Sequence, residues 1–245
     1  MTAVTLATKR RVLLLSNGTL PGQRMYEYAR ETIRDFLGAG VRRVLFVPFA
    51  GVTKTWDSYA ASAREVFHDS GYALDSLHDA PDVPSAVERA EAFVVGGGNT
   101  FQLLKNLYGT GALDGIRERV SAGVPYVGSS AGSNVACPTI MTTNDMPIVE
   151  PPSFRALGLV PFQLNPHYTD ARLEGHAGET RDDRLNEFTL ANPGVRVVGL
   201  REGTLLRVEG MGIELVGTKP ARVFSHGDEA RDYAPGESLR FLLER

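Results

Sequence analysis

Short apolar segments alternate with amphipathic segments through the first half of the chain, and this alternation limits the possible folds more than any other feature. The apolar segments consist mainly of Val, Leu and Phe and span residues 12–15, 44–47, 92–95 and 124–127. Apolar residues at helical spacing separate them, as at residues 53–70. Strands without polar alternation are buried on both faces, which is typical of a parallel sheet covered by helices. We therefore predict an α/β fold with a mostly parallel central sheet flanked by helices.

The last third of the chain has a different pattern. Short apolar segments are separated there by tight turns, and they span residues 196–200, 205–208, 212–216 and 221–224. Short strands joined by tight turns indicate antiparallel pairing, so we expect an antiparallel extension of the same domain. No Pro/Ser-rich linker interrupts the chain. We expect a single domain over residues 1–245, with residues 1–10 flexible.

Composition argues against several classes of function. The 245 residues carry a net charge of −3, so the chain lacks the electrostatic footprint of a protein that binds nucleic acid or an anionic membrane. No apolar run reaches the length of a membrane span, and the first residues lack a signal-peptide layout. The single cysteine, Cys137, excludes an intramolecular disulfide and is expected to be a buried hydrophobe rather than a nucleophile. We expect a cytoplasmic protein without nucleic-acid or membrane partners.

Residues 126–134 contain Gly128-x-Ser130-x-Gly132, the nucleophile-elbow pattern. In this tight turn from strand to helix, the central serine has strained backbone angles and an accessible Oγ, and the two glycines avoid a clash where the backbone folds back. The serine also lies at a helix N-terminus, where free N–H groups favour negative charge. The pattern alone is weak, because glycine and serine are common in ordinary turns. A catalytic serine needs a base, an orienting acid and oxyanion donors from elsewhere in the chain.

Three loops are expected at one edge of the sheet, because ligands bind at the carboxyl ends of parallel strands. They are the elbow, Ser16-Asn17-Gly18 and Gly96-Gly97-Gly98-Asn99. Ala131, which follows the serine, is expected to donate its N–H to an oxyanion, and the glycine loop can supply a second N–H. A phosphate-binding glycine loop is poorly supported, since no Gly-Lys-Ser/Thr follows it and Gly-x-Gly-x-x-Gly is absent.

Five histidines are candidates for the base, and the sequence separates them into two groups. His167 follows Pro166 at the end of a short apolar run, which predicts a turn that presents the imidazole at another strand end. A histidine that is hydrogen-bonded in a loop for structural reasons is the alternative. His176 also lies in a loop, whereas surface positions are expected for His68, His78 and His226.

Asp145 is the candidate acid. It lies in the loop 142–147 after the elbow helix, among hydroxyl and amide groups that can order its carboxylate. The chain order Ser130, Asp145, His167 is that of α/β-hydrolase triads, although triads occur in several orders. An aspartate that only orders its own loop through an Asx-turn is the alternative.

Several ordered blocks of the sequence strongly resemble the peptidase E family of serine peptidases, the α-aspartyl dipeptidases. Together they cover about residues 13–200, which makes the resemblance far more specific than any single motif. The blocks are Leu14-Leu15-Ser16-Asn17, Thr19-Leu20-Pro21-Gly22, Val47-Pro48-Phe49-Ala50-Gly51-Val52-Thr53, Gly96-Gly97-Gly98-Asn99-Thr100-Phe101-Gln102-Leu103-Leu104-Lys105, Ser130-Ala131-Gly132-Ser133-Asn134, Cys137-Pro138-Thr139-Ile140, Thr143-Asn144-Asp145-Met146-Pro147-Ile148-Val149 and Asn165-Pro166-His167.

The resemblance implies a flavodoxin-like fold related to class I glutamine amidotransferases, with serine in place of their elbow cysteine. It implies hydrolysis of dipeptides that have an N-terminal aspartate, without a metal or cofactor. By motif, Ser130 would be the nucleophile, His167 the general base and Asp145 the residue that orients it. Gly98 and Ala131 would hold the oxyanion. The sequence leaves a monomer and a homodimer both open.

Recognition of aspartate requires a cation for its β-carboxylate. Residues 175–181 resemble the active-site loop of the family, and Arg181 is the candidate because a guanidinium binds a carboxylate bidentately. The alternative is an ion pair between Arg181 and one of the two aspartates that follow it. The glycines of this loop suggest closure over the substrate. Asn17 and Asn99, in the loops at the sheet edge, are also expected to contact the substrate.

Ser129 departs from the family pattern, in which an aromatic residue often precedes the nucleophile. This departure predicts a larger or wetter pocket.

Two rival functions remain from the sequence: a cyanophycinase-like exopeptidase on the same scaffold, and a non-catalytic amidotransferase-like domain used for binding. The presence of serine, acid and histidine in one ordered set argues against the second.

Overall fold

The computed structural model describes residues 9–171, 175 and 177–244, which form two β-sheets and their covering helices. The strands are β1 (Arg11–Leu15), β2 (Arg43–Val47), β3 (Ala73–Ser76), β4 (Phe93–Val95), β5 (Tyr126–Ser129), β6 (Gln163–Tyr168), β7 (Val197–Arg201), β8 (Leu205–Glu209), β9 (Gly212–Val216), β10 (Ala221–Phe224) and β11 (Arg231–Tyr233). The α-helices are α1 (Arg30–Leu37), α2 (Trp56–Asp69), α3 (Val83–Arg89), α4 (Thr100–Gly109), α5 (Ala112–Ser121), α6 (Ala131–Val135) and α7 (Arg181–Ala191). Short 3₁₀ helices span Glu27–Ala29, Leu77–Asp79 and Arg240–Leu243.

The larger sheet has seven strands in the order β3-β2-β4-β5-β1-β8-β9. The first five strands in this order are parallel, and the predicted mostly parallel central sheet is thereby confirmed. β8 pairs antiparallel with β1, and β9 pairs antiparallel with β8. β5, which precedes Ser130, therefore lies between β4 and β1, in the interior of the sheet.

The smaller sheet has the order β11-β10-β7-β6. Its β7–β10 and β10–β11 pairs are antiparallel, as the turn-rich C-terminal pattern predicts. β7 differs from that expectation because its other neighbour, β6, runs parallel to it. Parallel neighbours need a crossover connection, and α7 supplies one between β6 and β7.

Helix boundaries follow local capping chemistry. The Asn99 side chain accepts a hydrogen bond from the N–H of Gln102, so it caps α4. A capping box at Thr180 begins α7. Only a 3₁₀ turn precedes α1, since Tyr26 has a φ of 59°. The left-handed backbone at Tyr26 interrupts the helical pattern.

Helices cover both faces of the larger sheet, which explains its uninterrupted apolar strands. Along β1, Leu13 and Leu15 pack with α1 and α2 on one face. Val12 and Leu14 face the other side, in a core cluster shared with α3 to α6. This second cluster also contains β6 and β7 residues such as Leu164 and Leu200, so the two sheets share it.

Residues 1–8 of the segment expected to be flexible lie outside the described residues. The carbonyl of Arg10 accepts a 2.9 Å hydrogen bond from Gly210, so residue 10 is attached to the end of β8. None of the described helices combines the length and the apolar character that crossing a bilayer requires.

Replacement of Phe93 by alanine tests the importance of the shared core. Phe93 lies on the central strand β4 and has 0% exposure, so Phe93→Ala is expected to lower the free energy of unfolding by about 3–5 kcal/mol. Urea denaturation measures this change. Phe154 is 50% exposed and serves as the matched control. Equal losses from Phe93→Ala and Phe154→Ala would contradict this description of the core.

Candidate active site

Ser130 occupies a strained turn between β5 and α6. Its φ of 52° and ψ of −110° lie outside the regions that non-glycine residues usually adopt. A Cβ on Gly128 would approach the Gly132 carbonyl oxygen to 2.5 Å, and a Cβ on Gly132 would overlap the Val95 carbonyl. The Ser130 N–H donates a 3.1 Å hydrogen bond to the Leu15 carbonyl. The turn therefore has the strained serine and the glycine contacts that the elbow pattern predicts.

His167 contacts the serine from the smaller sheet. Its Nε2 lies 2.9 Å from Oγ of Ser130. The β6–β7 register shifts between Pro166 and Tyr168, and His167 at that irregularity has a φ of 54°. Its N–H donates a 2.9 Å hydrogen bond to Oγ of Ser16. The irregularity turns the imidazole out of the strand and toward the elbow.

Glu202 completes a hydrogen-bonded chain with His167 and Ser130. Its Oε1 lies 2.6 Å from Nδ1 of His167, so Nδ1–H donates to the carboxylate when that nitrogen is protonated. Glu202 directly follows β7. The next residue, Gly203, donates its N–H to the Asn17 Oδ1 over 2.9 Å, which fixes the turn. The three side chains have the connectivity of a serine, base and acid triad.

Asp145 does not orient His167, and that prediction is wrong. Its Oδ2 accepts hydrogen bonds from the N–H and the Oγ1 of Thr100, at 2.8 Å and 2.6 Å. It also accepts one from Oγ1 of Thr143 at 3.1 Å. The carboxylate lies at the N-terminus of α4, where the free N–H groups attract an anion. Asp145 therefore orders the loop at α4, which was the alternative interpretation.

The position of Glu202 after an apolar segment was the one feature of the sequence that could have identified it. Glu202-Gly203 follows the apolar segment 196–200 and has the composition of a turn. In the fold, that segment is β7, and Glu202 lies at its carboxyl end beside β6. Carboxyl ends of neighbouring parallel strands meet at one edge, so the pairing of β6 with β7 is the missing information.

The two expected oxyanion donors lie beside Ser130. Ala131 is the first residue of α6, and Gly98 has a φ of 135° in the loop after β4. Neither backbone N–H has a hydrogen-bond acceptor among the described residues. The loop is fixed by Tyr59, whose hydroxyl donates to the Gly97 carbonyl over 3.0 Å, and by a 2.8 Å bond from the Asn99 N–H to Ala50. Both N–H groups are available to a ligand, and their role stays a prediction.

A cleft of about 610 Å³ opens at Ser130 and His167. Asn17 and Asn99 both line it, but their side-chain amides are engaged within the protein. The Asn99 Nδ2 donates a 2.8 Å bond to the Met146 carbonyl, and the Asn17 Nδ2 donates a 2.9 Å bond to the Thr19 carbonyl. Both residues hold the loops that form the cleft, and direct contact with substrate stays a prediction.

Arg181 begins α7 and reaches back toward β6. Its Nη1 lies 3.4 Å from Oδ1 of Asn165, and burial lowers the pKa of Arg181 from its usual value. Of the two aspartates that were alternative partners, Asp182 instead contacts Arg222 at 3.1 Å and the Tyr168 hydroxyl at 2.5 Å. His176, in the predicted active-site loop 175–181, lies outside the described residues.

Ser129 does not enlarge or wet the cleft. Its side chain is 1% exposed, and its Oγ lies 3.0 Å from the hydroxyl of Tyr26. Burial raises the pKa of Tyr26 to about 12, so the tyrosine stays protonated at neutral pH. The expected effect of Ser129 on the pocket is therefore wrong. The buried contact between Ser129 and Tyr26 supports the turn at Ser130.

The remaining candidates for chemistry lie away from the cleft lining. Burial raises the pKa of Cys137 to about 12, which makes it a poor nucleophile, as expected. His68 and His226 are exposed as predicted, whereas only 9% of the His78 side chain is exposed. Among the described residues, one group has the spacing of a metal site, namely Asp57, His78 and Asp79. Contacts of His78 Nε2 with both carboxylates, at 3.1 Å and 3.0 Å, account for that group without a metal.

Comparisons with known proteins show the family of this chain. Residues 12–216 match the sequence profile of peptidase family S51. The chain belongs to peptidase family S51. As an S51 member it is a serine-type peptidase. Peptidase E of a Nostoc species is 52% identical over 96% of this chain and 98% of its own length. A Drosophila melanogaster protein named "Probable alpha-aspartyl dipeptidase" is 48% identical over 98% of this chain and 100% of its own length.

A solved structure supports the fold of this S51 peptidase. The crystal structure of a peptidase from an acI-B1 Actinobacterium superposes with a TM-score of 0.69, covering 94% of this chain and 96% of that one. The sequence identity is 20%, so this likeness concerns the fold alone.

Glu202→Gln and Asp145→Asn separate the two candidate acids of this S51 peptidase. Glutamine at 202 cannot stabilise the imidazolium, so we expect kcat to fall by at least about 10²-fold. Asp145→Asn is expected to leave kcat within about tenfold and to lower Tm, because it weakens the charged contact with α4. Steady-state kinetics and thermal denaturation measure both effects. The reverse pattern of kcat losses would restore Asp145 as the orienting acid.

Gly98→Ala tests whether the glycine loop needs its close approach. A Cβ at residue 98 would overlap the carbonyl oxygen of Ala50, and the φ of 135° is itself strained for alanine. The loop must shift, so its N–H moves and we expect kcat to fall by about 10²-fold or more. Gly109→Ala is the control, since a Cβ there meets nothing within 4 Å. Unchanged kcat in Gly98→Ala would exclude Gly98 as an oxyanion donor.

Proposed function

We propose that this S51 peptidase hydrolyses dipeptides with an N-terminal aspartate through an acyl-enzyme. The observation that carries the proposal is the chain of contacts from Ser130 Oγ to His167 Nε2, at 2.9 Å, and from His167 Nδ1 to Glu202, at 2.6 Å. The substrate class is supported by relatives named "Peptidase E" and "Probable alpha-aspartyl dipeptidase", at 52% and 48% identity.

The first half of the reaction forms an ester. Ser130 Oγ attacks the carbonyl carbon of the peptide bond while Nε2 of His167 accepts the hydroxyl proton. Glu202 accepts a hydrogen bond from Nδ1–H and stabilises the imidazolium that forms. The imidazolium then gives its proton to the leaving amine as the C–N bond breaks. The second residue leaves as a free amino acid, and the aspartyl group stays on Ser130.

The second half repeats the proton path with water. His167 accepts a proton from a water molecule as its oxygen attacks the ester carbonyl, and returns that proton to Ser130 Oγ when aspartate leaves. In both halves the negative oxygen of the tetrahedral intermediate accepts hydrogen bonds from the N–H groups of Gly98 and Ala131. These donors are fixed by the β4 loop and by α6 before the reaction begins.

Arg181 is the proposed contact for the β-carboxylate of the substrate aspartate. Its guanidinium is partly buried, and its contact with Asn165 at 3.4 Å leaves donors for a ligand. A bidentate guanidinium–carboxylate pair in such a position distinguishes aspartate from asparagine by charge and from glutamate by length.

We further propose a cytoplasmic location. The support is the single cysteine, Cys137, which is buried and lies in a chain without a disulfide, as is usual in a reducing compartment. Fractionation of the native host checks this location, and dipeptidase activity mainly outside the cytosolic fraction would contradict it.

Ser130→Ala is the direct test of the proposed function. Loss of the nucleophile is expected to lower kcat for Asp-Leu by about four to six orders of magnitude while Tm is retained. Ser129→Ala is the matched control, because it removes the neighbouring serine, whose Oγ contacts Tyr26 instead of His167. This control should keep kcat within about tenfold.

A substrate panel separates the proposed activity from its rivals. Asp-Leu should be hydrolysed in preference to Asn-Leu, Glu-Leu and β-aspartyl-arginine. Preference for β-aspartyl-arginine would indicate a cyanophycinase-like exopeptidase. Wild-type levels of Asp-Leu hydrolysis in Ser130→Ala would exclude Ser130 as the nucleophile.

A further inference from the structure

An aspartyl dipeptide brings two separate carboxylates into the cleft, and one guanidinium binds only one of them. At neutral pH it carries a β-carboxylate, a C-terminal carboxylate and a single ammonium group. Arg181 is assigned one carboxylate in the proposed function. Among the described residues that line the cleft with Ser130 and His167, Lys54 is the only lysine or arginine.

Lys54 lies in the loop between β2 and α2, close to the proposed oxyanion site. Its Nζ lies 3.8 Å from the ring centroid of Tyr59. The hydroxyl of the same tyrosine donates to the Gly97 carbonyl over 3.0 Å. A Cβ on Gly97 would lie 3.1 Å from Cβ of Ser130. Lys54 therefore contacts Tyr59, Tyr59 contacts Gly97, and Gly97 packs beside Ser130.

The ammonium of Lys54 has no anionic partner in the described part of the chain. No Asp or Glu oxygen lies within 4.0 Å of it there, whereas many surface arginines form ion pairs, for example Arg24 with Asp69 at 2.9 Å. The Lys54 side chain is exposed at the cleft, although partial burial lowers its pKa from the usual value. The face of Tyr59 holds the ammonium by a cation–π contact, which fixes its position without neutralising its charge. A fixed, partly desolvated and unpaired cation in a cleft is suited to an anionic ligand.

Lys54 and Arg181 lie on different sides of β5. β5, which carries the serine, lies between β4 and β1 in the sheet. Lys54 follows β2, which lies beyond β4. Arg181 contacts Asn165 on β6, and β6 meets the β1 side through the bond from His167 to Ser16. The two cations are therefore placed to bind two separate anionic groups of one ligand.

We propose that Lys54 binds the C-terminal carboxylate of the substrate dipeptide through its ammonium group, while Arg181 binds the β-carboxylate. This inference rests on the proposed function and adds a residue that sets its substrate class. The ammonium donates a charge-assisted hydrogen bond to the carboxylate. The contact is made in the bound substrate as well as in the transition state, so it lowers KM and leaves kcat largely unchanged.

The test uses Lys54→Gln and compares Asp-Leu with Asp-Leu amide, which lacks the C-terminal carboxylate. We expect Lys54→Gln to raise KM for Asp-Leu about tenfold, the loss typical of one charge-assisted hydrogen bond, with kcat within about twofold. Lys54→Arg keeps the charge and should recover most of this loss. Lys105→Gln is the matched control, because Lys105 is exposed on α4 and does not line the cleft.

The two substrates identify the carboxylate. If the KM ratio of variant to wild type falls to about one on the amide, Lys54 binds the C-terminal carboxylate. If the tenfold ratio persists on the amide and disappears on Asn-Leu, Lys54 binds the β-carboxylate, which overturns the assignment of the two cations. A ratio near one on Asp-Leu, or an equal rise in Lys105→Gln, overturns the proposal while the function stands. Failure of the wild-type protein to hydrolyse Asp-Leu overturns both.

Discussion

The site depends on a junction between the two sheets at Ser16. This fully buried residue follows β1, the neighbour of the strand that carries Ser130. Its Oγ donates a 2.6 Å hydrogen bond to the carbonyl of Leu200 on β7 and accepts one from the N–H of His167 on β6. Its own N–H donates to the Thr204 carbonyl over 3.0 Å. Serine and base come from different sheets, so their 2.9 Å contact exists only while this junction fixes how the sheets meet.

Backbone strain is concentrated at the same place. Among the described residues, three that are not glycine have a positive φ: Tyr26, Ser130 and His167. Such conformations cost about 1–3 kcal/mol each and persist only where the surrounding structure imposes them. The serine is held by the close packing of Gly128 and Gly132, the histidine by its bond to Ser16 and the tyrosine by its bond to Ser129. The rigid sheets therefore hold the side chains in position before a substrate arrives, which reduces the reorganisation that catalysis requires.

Features that depend on neighbouring residues in the sequence are predicted correctly, whereas contacts between distant residues are not. The apolar strands and the close approach of Gly128 to Gly132 depend on residues close in sequence, and local patterns predict them. The bond between His167 and Glu202 joins residues 35 positions apart. It arises because β6 and β7 pair in parallel with a register shift at the histidine, and no local pattern specifies that pairing. A candidate acid chosen by chain order alone was therefore the wrong carboxylate.

Asp145 nevertheless contributes to the site without contacting His167. Its carboxylate holds Thr100 at the start of α4, and the next residue in its loop, Met146, accepts the Nδ2 bond of Asn99. Asn99 directly follows Gly98, and its own N–H is bound to Ala50. The Asp145 loop is thus attached on two sides to the segment that presents the Gly98 N–H to the cleft. Asp145 influences the proposed oxyanion donor through the backbone, whereas Glu202 acts on the base directly.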